Sequence, residues 1–312
     1  MMNKYITEHA KISIAICTRE RPVMLTNLLN SMRHLALLEG VEVIIDIIEN
    51  HTEENLKELI SRLAPSLPFK VNYHWEPKLG IPIARNHALR VAEGSSATHI
   101  IFLDDDERVD SQWLKELWAA YLKLDQSSII QGAVISAPET ETNKHLHPFF
   151  QRKIRQTGDK METCSTNNVI IPIESLTQHN LTFDESRPFA GGEDYILTQK
   201  AHRLNIPMRF CAESFVYEDI PDERLNLKWL SKRNFSSGLT DGEQKRELGF
   251  KLTYALQRLW KLLLNVFKAA TNKLRSKDHE SIKKWLKACV NAGQLLGYFR
   301  FSLNSYKTTD GN

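Results

Sequence analysis

Along the first half of the chain, short uncharged runs rich in β-branched residues alternate with longer stretches whose apolar positions recur every three or four residues. Residues 12–17 (ISIAIC) predict a buried strand. The polar segment that follows ends at Pro22, which suits the first turn of a helix over 23–37. Residues 41–48 predict a second strand, 53–63 a helix and 71–75 a third strand. Residues 83–93 predict a helix closed by Gly94. A fourth strand, 99–103, runs directly into three aspartates, and 112–124 has helical spacing. Strands alternating with helices predict an α/β fold, Rossmann-like, with a mainly parallel sheet flanked by helices.

The pattern changes between residues 129 and 217. Short strand candidates occur at 129–136, 168–172, 208–211 and 215–218, with a loop-rich stretch over 138–165 and one helix over 194–204. Beyond Pro221 the spacing is helical throughout. Tyr254, Leu256, Leu259, Leu262, Leu263, Val266 and Phe267 recur at helical spacing, with Arg258, Lys261 and Lys268 between them. This divides the chain into an α/β domain of residues 1–240 and a basic, amphipathic helical appendage of 241–312.

Composition sharpens that division. The 312 residues are 42% hydrophobic and 25% charged, the balance of a globular protein rather than a disordered one. Lys and Arg (41) nearly match Asp and Glu (38), which argues against a dedicated nucleic-acid binder. The charge is nonetheless segregated: residues 251–312 hold 12 bases and 3 acids, leaving 29 bases and 35 acids before them. The four cysteines (Cys17, Cys164, Cys211, Cys289) lack metal-ligand spacing and read as reduced thiols. Neither a leader-like run at the start nor a membrane-length apolar run is visible, so the expectation is a cytoplasmic protein that does not itself cross a membrane.

Candidate chemistry gathers at the carboxyl ends of the predicted strands, where open parallel sheets bind ligands. Strand one ends at Thr18-Arg19-Glu20, strand two at Glu49-Asn50, strand four at Asp104-Asp105-Asp106. Three adjacent carboxylates repel one another unless neutralised, and their oxygens suit Mg²⁺ or Mn²⁺ holding a substrate phosphate. A solvated acidic turn before the next helix is the plainer alternative. No phosphate-binding glycine loop follows the first strand, so a phosphate would be held by metal and basic side chains. Arg85 is a candidate, and equally a charged position on an amphipathic helix. Gly191-Gly192-Glu193-Asp194 opens a helix and supplies either an ordinary helix start or a carboxylate placed as general base.

Taken in order, ISIAICTRERP, DIIENHTEEN, GIPIARNHAL, FLDDDERV and FAGGEDYIL resemble the family-2 glycosyltransferases of GT-A fold, over about residues 10 to 240. The segment VYEDIPDERLNLKWLSKRNFSSG is similar to a succinoglycan-type β-glucosyltransferase subgroup of bacterial exopolysaccharide assembly. The resemblance implies donor-binding roles for Thr18, Arg19, Glu49, Arg85, Asn86, Asp104, Asp105, Gly191 and Gly192. Glu49 stands where the family usually has Asp. Asp104 and Asp106 would hold Mn²⁺ or Mg²⁺, Asp194 would be the catalytic base, and Glu193 beside it would touch sugar or acceptor. The implied reaction is inverting transfer of one sugar, glucose, from a nucleotide sugar (UDP-glucose) to a lipid-linked oligosaccharide or polysaccharide. The Gln-x-x-Arg-Trp motif of processive synthases is absent, and Trp229 and Arg233 resemble part of an acceptor helix or lid. A lipid-linked acceptor implies peripheral attachment of the basic tail to the inner face of the cytoplasmic membrane. A sugar nucleotidyltransferase, or a non-catalytic carbohydrate-binding module, are the competing functions.

Overall fold

A computed structural model describes residues 10–247, 249 and 251–301. The eight strands are β1 (Lys11–Thr18), β2 (Glu42–Glu49), β3 (Lys70–Trp75), β4 (His99–Asp104), β5 (Glu107–Val109), β6 (Ile129–Pro138), β7 (Val169–Pro172) and β8 (Met208–Ile220). They form one sheet of order β3-β2-β1-β4-β7-β6-β8-β5. The helices around it are α1 (Pro22–Ser31), α2 (Lys57–Leu63), α3 (Ile81–Gly94), α4 (Trp113–Lys123), α5 (Ile173–Thr177) and α6 (Glu193–Arg203). Three helices close the chain: α7 (Leu227–Glu247), α8 (Leu252–Leu274) and α9 (Asp278–Tyr298).

The parallel half is the predicted one. β1 pairs in parallel with β2 and β4, and β2 with β3. Successive residues of β1 point to opposite faces. Ile12, Ile14 and Ile16 pack with Leu25, Leu28 and Leu29 of α1, while Ala15 joins Ala84, Ala88 and Leu89 of α3 on the other side. The second half is mixed: β7 is antiparallel to β4 and β6, β8 runs parallel to β6, and β5 is antiparallel to β8. The expected strands 208–211 and 215–218 are one strand, because a register shift opposite Gly132 and Ala133 absorbs the residues between them.

Two helices are shorter than their spacing predicts. The first stops at Ser31, and after the short turn Met32–His34 the chain extends at Leu35, burying that side chain. The second starts at Lys57 because the Glu49 carboxylate accepts the N–H groups of Asn55 and Leu56, holding 51–56 in a loop. In the tail, the division expected after residue 240 falls inside α7. Helices α7 and α9 approach until their backbones touch: a Cβ on Gly238 would lie 2.3 Å from the Val290 carbonyl oxygen, and one on Gly293 2.1 Å from that of Phe235. Among the described residues, no helix is long and apolar enough to cross a membrane.

Candidate active site

Because β1, β2 and β4 are parallel, their carboxyl ends share one edge of the sheet. Thr18 lies beside Glu49, and Cys17 beside Asp104. A cleft of about 800 Å³ opens there. Its floor carries Thr18, Arg19, Asp104, Asp105 and Asp106, and its flank carries Arg85 with Gly191 through Asp194. The loop after β1 and the end of β4 thus meet at the strand ends, and α3 and the start of α6 bring Arg85 and residues 191–194 to the same space.

The three aspartates have three different surroundings. Asp105 is buried, accepts the Thr18 hydroxyl at 2.7 Å and pairs with Arg21 at 2.8 Å, so it anchors the floor. Burial pushes its carboxyl upward, against the pull of Arg21. Asp106 lies 3.5 Å from Arg21 and 3.3 Å from Arg224. Asp104 points into the cleft, its side chain 40% exposed and 3.3 Å from Arg85. The enclosing walls, with Asp106 and Asp105 nearby and Arg85 opposing, lift its carboxyl to about 7. Glu107 lies beneath, buried, one oxygen accepting the Asp104 N–H at 3.0 Å and the other without a hydrogen-bond partner. Burial and the Asp104 charge hold Glu107 well above the ordinary carboxylate range.

Carboxylates therefore crowd the end of β4, with Arg21, Arg85 and Arg224 against them. Among the described residues no group of three His, Cys, Asp or Glu side chains converges on one point. Asp104 and Asp106 bring two carboxylates to the cleft, Asp104 open to it and Asp106 held between Arg21 and Arg224. That donor set fits a divalent cation whose remaining positions are taken by phosphate oxygens and water.

On the flank, Arg85 reaches from α3 between two acids. It donates to Glu193, which is itself buried, and lies against Asp104. These acids hold the guanidinium above its ordinary range despite burial. Burial raises Glu193, with Arg85 opposing. Gly191 and Gly192 both have positive φ (76° and 81°), and a Cβ on Gly192 would lie 2.6 Å from the Thr240 methyl. This sharp entry into α6 turns Asp194 toward the cleft, where one carboxylate oxygen accepts the Tyr195 N–H at 2.7 Å.

Two candidates lie outside the cleft lining. The Glu49 oxygens are taken by the Tyr73 hydroxyl at 2.5 Å and by the N–H groups of Asn55 and Leu56. Asn86 clips the 183–185 loop, bonding the backbone of Phe183 in both directions and the Glu185 carboxylate. Both position the cleft's surroundings. Conversely, Arg21, Arg152 and Arg224 line the cleft without having been singled out. Arg21 sits in the ERP run directly after β1, a signal that could have found it; Arg152 lies in the loop-rich stretch and bonds Glu218 at 2.8 Å, for which sequence offers no cue. The far wall is helical. Trp229, Lys232, Arg233 and Asp241 of α7 line it, and so does Gln294 of α9, which donates to Asp241 at 2.7 Å. Trp229 stacks on Phe150 and carries Arg224 and Arg233 over its ring at 5.8 and 5.2 Å.

The chain is 28% identical over 268 residues to the succinoglycan biosynthesis protein ExoM of Rhizobium meliloti (strain 1021), covering 82% of this chain and 81% of that protein. Its fold is similar to that of S. aureus TarS 1–349 in complex with UDP, with a TM-score of 0.54 at 17% identity over 93% of this chain and 91% of that one. It is also similar to GalNAc-T7 with UDP, GalNAc and Mn²⁺, with a TM-score of 0.51 at 17% identity over 67% of this chain and 43% of that one. These neighbours establish the GT-A fold. The model of Glycosyl transferase family 2 matches residues 13–179, from the first strand through α5 and so across the aspartates at the end of β4, and the chain belongs to that family.

Proposed function

We propose that this glycosyltransferase is inverting and non-processive, moving one glucose from UDP-glucose to a lipid-linked oligosaccharide or surface polysaccharide at the inner face of the cytoplasmic membrane. The observation that carries the reading is the shared cleft: Asp194 opens into the same space as Asp104 and Asp106, and Arg85 bridges the two acidic groups. The kinship to a succinoglycan biosynthesis protein supports a polysaccharide product.

In this reading Asp194 accepts the proton of an acceptor hydroxyl as its oxygen attacks the anomeric carbon from the face opposite the nucleotide. The bond from that carbon to the diphosphate oxygen breaks, its electron pair leaving with the nucleoside diphosphate, through an oxocarbenium-like transition state. Asp104 and Asp106 would hold Mn²⁺ or Mg²⁺, which supplies electrostatic stabilisation of the departing diphosphate. Arg21, Arg152 and Arg224 add fixed positive charge on the same side. Arg85 pairs with Glu193 beside Asp194, opposing the burial that raises that carboxyl, and lies against Asp104. Trp229, stacked on Phe150, holds Arg224 and Arg233 at the wall, which supports an acceptor side whose cations face hydroxyls or phosphates.

The test is a screen of UDP-sugars for Mn²⁺-dependent turnover, followed by Asp194→Asn. Turnover should fall ~10²- to 10⁴-fold while UDP affinity is kept. Unchanged turnover removes Asp194 from the base role; retention of the donor's anomeric configuration in the product removes the single displacement.

A further inference from the structure

Helix α8 is built inside out. Its apolar side chains Leu252, Leu256, Leu259, Trp260, Leu263 and Phe267 are 41–67% exposed, and Val266 and Leu274 continue the stripe. The side facing the protein is the more polar one: Arg258 donates to Gln294 of α9 at 2.9 Å and lies over the Tyr254 ring, and only the small Ala255 and Ala269 are buried. An amphipathic helix that packed for its own burial would be rotated the other way. A groove of about 500 Å³ between α8 and α9, lined by Val266, Ala270, Ile282 and Trp285, extends the apolar surface. A contiguous apolar face of this size in water marks a surface that is covered in use.

We infer that this face inserts into an anionic lipid bilayer, with α8 lying flat in the headgroup region. Charge complementarity identifies the occupant. Residues 251–277 contain seven Lys or Arg and no acid. Lys261 and Lys268 lie about 100° round the helix from Trp260 and Phe267, on the polar flank beyond the aromatic side of the stripe. A basic helix with Trp and Phe in its apolar face matches the chemistry of an interfacial anchor. A second copy of the chain fits less well. Helix α8 itself carries no acid to meet a partner's bases, Asp278 at the groove is already paired with Lys273 at 2.7 Å, and the stripe takes in positions 260, 267 and 274 beside the two-position seam of a coiled coil. The helix is too charged to span. This deepens the reading of a lipid-linked acceptor, since Gln294 lines the cleft and is bonded to α8; the exposed face is an independent observation.

The experiment is co-sedimentation of the full chain with vesicles of phosphatidylcholine alone or with about 30% phosphatidylglycerol. Binding should require phosphatidylglycerol. Trp260→Ser with Phe267→Ser should weaken partition ~100-fold, and Lys261→Gln with Lys268→Gln about tenfold or more, with circular dichroism and UDP affinity unchanged. A full chain that stays in the supernatant with phosphatidylglycerol overturns the inference. So does a dimer in sedimentation velocity that the Trp260→Ser, Phe267→Ser chain no longer forms, because the face is then covered by a second copy. Vesicle binding without turnover of any UDP-sugar would instead overturn the proposed reaction and leave the membrane surface standing.

Discussion

The floor of the cleft is held together by charge, and its helical wall by the absence of side chains. On the floor, Arg21 pairs with Asp105, Arg85 lies between Asp104 and Glu193, and Arg224 reaches Asp106. In the wall, Gly238 and Gly242 of α7 meet Gly293 and Gly297 of α9 so closely that a Cβ on any of the four would lie 2.1–2.3 Å from a carbonyl oxygen of the opposite helix. The two constructions respond differently to a ligand. Ion pairs can be exchanged, so a cation and a diphosphate arriving at the floor can replace contacts the side chains now make with one another. A backbone-to-backbone seam has nothing to exchange. It holds Asp241 and Gln294 in fixed relation across α7 and α9, and through Gln294 ties α8 to the same rigid unit. The floor is therefore adaptable and the wall stiff.

The largest effect should come from removing the cation that spans the floor. Arg85→Ala leaves the buried Glu193 carboxylate without its counter-charge and Asp104 without its nearest base. Breaking a buried ion pair from one side costs roughly 3–5 kcal/mol. Urea unfolding should show a loss of that order, and Glu193→Gln added to Arg85→Ala should recover part of it. A loss under about 1 kcal/mol would mean that solvent already screens the pair.

Next comes the wall. Gly293→Leu should destabilise by ~3 kcal/mol, because the obstructing group is the Phe235 carbonyl and neither helix can yield without separating along its length. The loss should be the same at about pH 5 and about pH 8, as no titrating group takes part. A harmless Gly293→Leu would show that α7 and α9 sit further apart than the seam requires. Gly94 provides the control: nothing lies within 4 Å of a Cβ there, and Gly94→Ala should be neutral or slightly stabilising.

The same contrast explains what could be read from the sequence. Strand ends and charges are local features. Residues 99–106 show a buried strand ending in acids without reference to any partner, and parallel pairing with β1 then sets Asp104 beside Cys17. Thr18 comes to the cleft on the same reasoning, whereas Arg85 is a position on a helix and Asp194 part of a glycine-rich helix start. What a side chain does once there depends on neighbours distant in sequence. Asp105 became an anchor because Arg21 lies against it, and Glu49 turned to the loop because Tyr73, one strand over, holds its carboxylate. The antiparallel placement of β7 and β5 is equally non-local. The tail shows the sharpest limit. Helical spacing identifies an apolar stripe on α8, but not which way it faces, and the glycines of α7 and α9 read as weak helix positions until the two helices are side by side.

The smallest effect is one of sign. Glu107 is buried below Asp104 with its carboxyl held well above the usual range by burial and by that neighbour. A carboxyl raised in the folded state contributes its full stability below the unfolded pKa, and that contribution is lost as pH rises through the folded one. The native protein should therefore lose stability from about pH 4.5 upward on this account. Glu107→Gln keeps a carbonyl oxygen for the Asp104 N–H and removes the titration. It should be more stable relative to the native chain at about pH 8 than at about pH 5, opposite in pH response to the flat penalty of Gly293→Leu. Parallel pH curves for Glu107→Gln and the native chain would mean that Arg152 already neutralises Glu107.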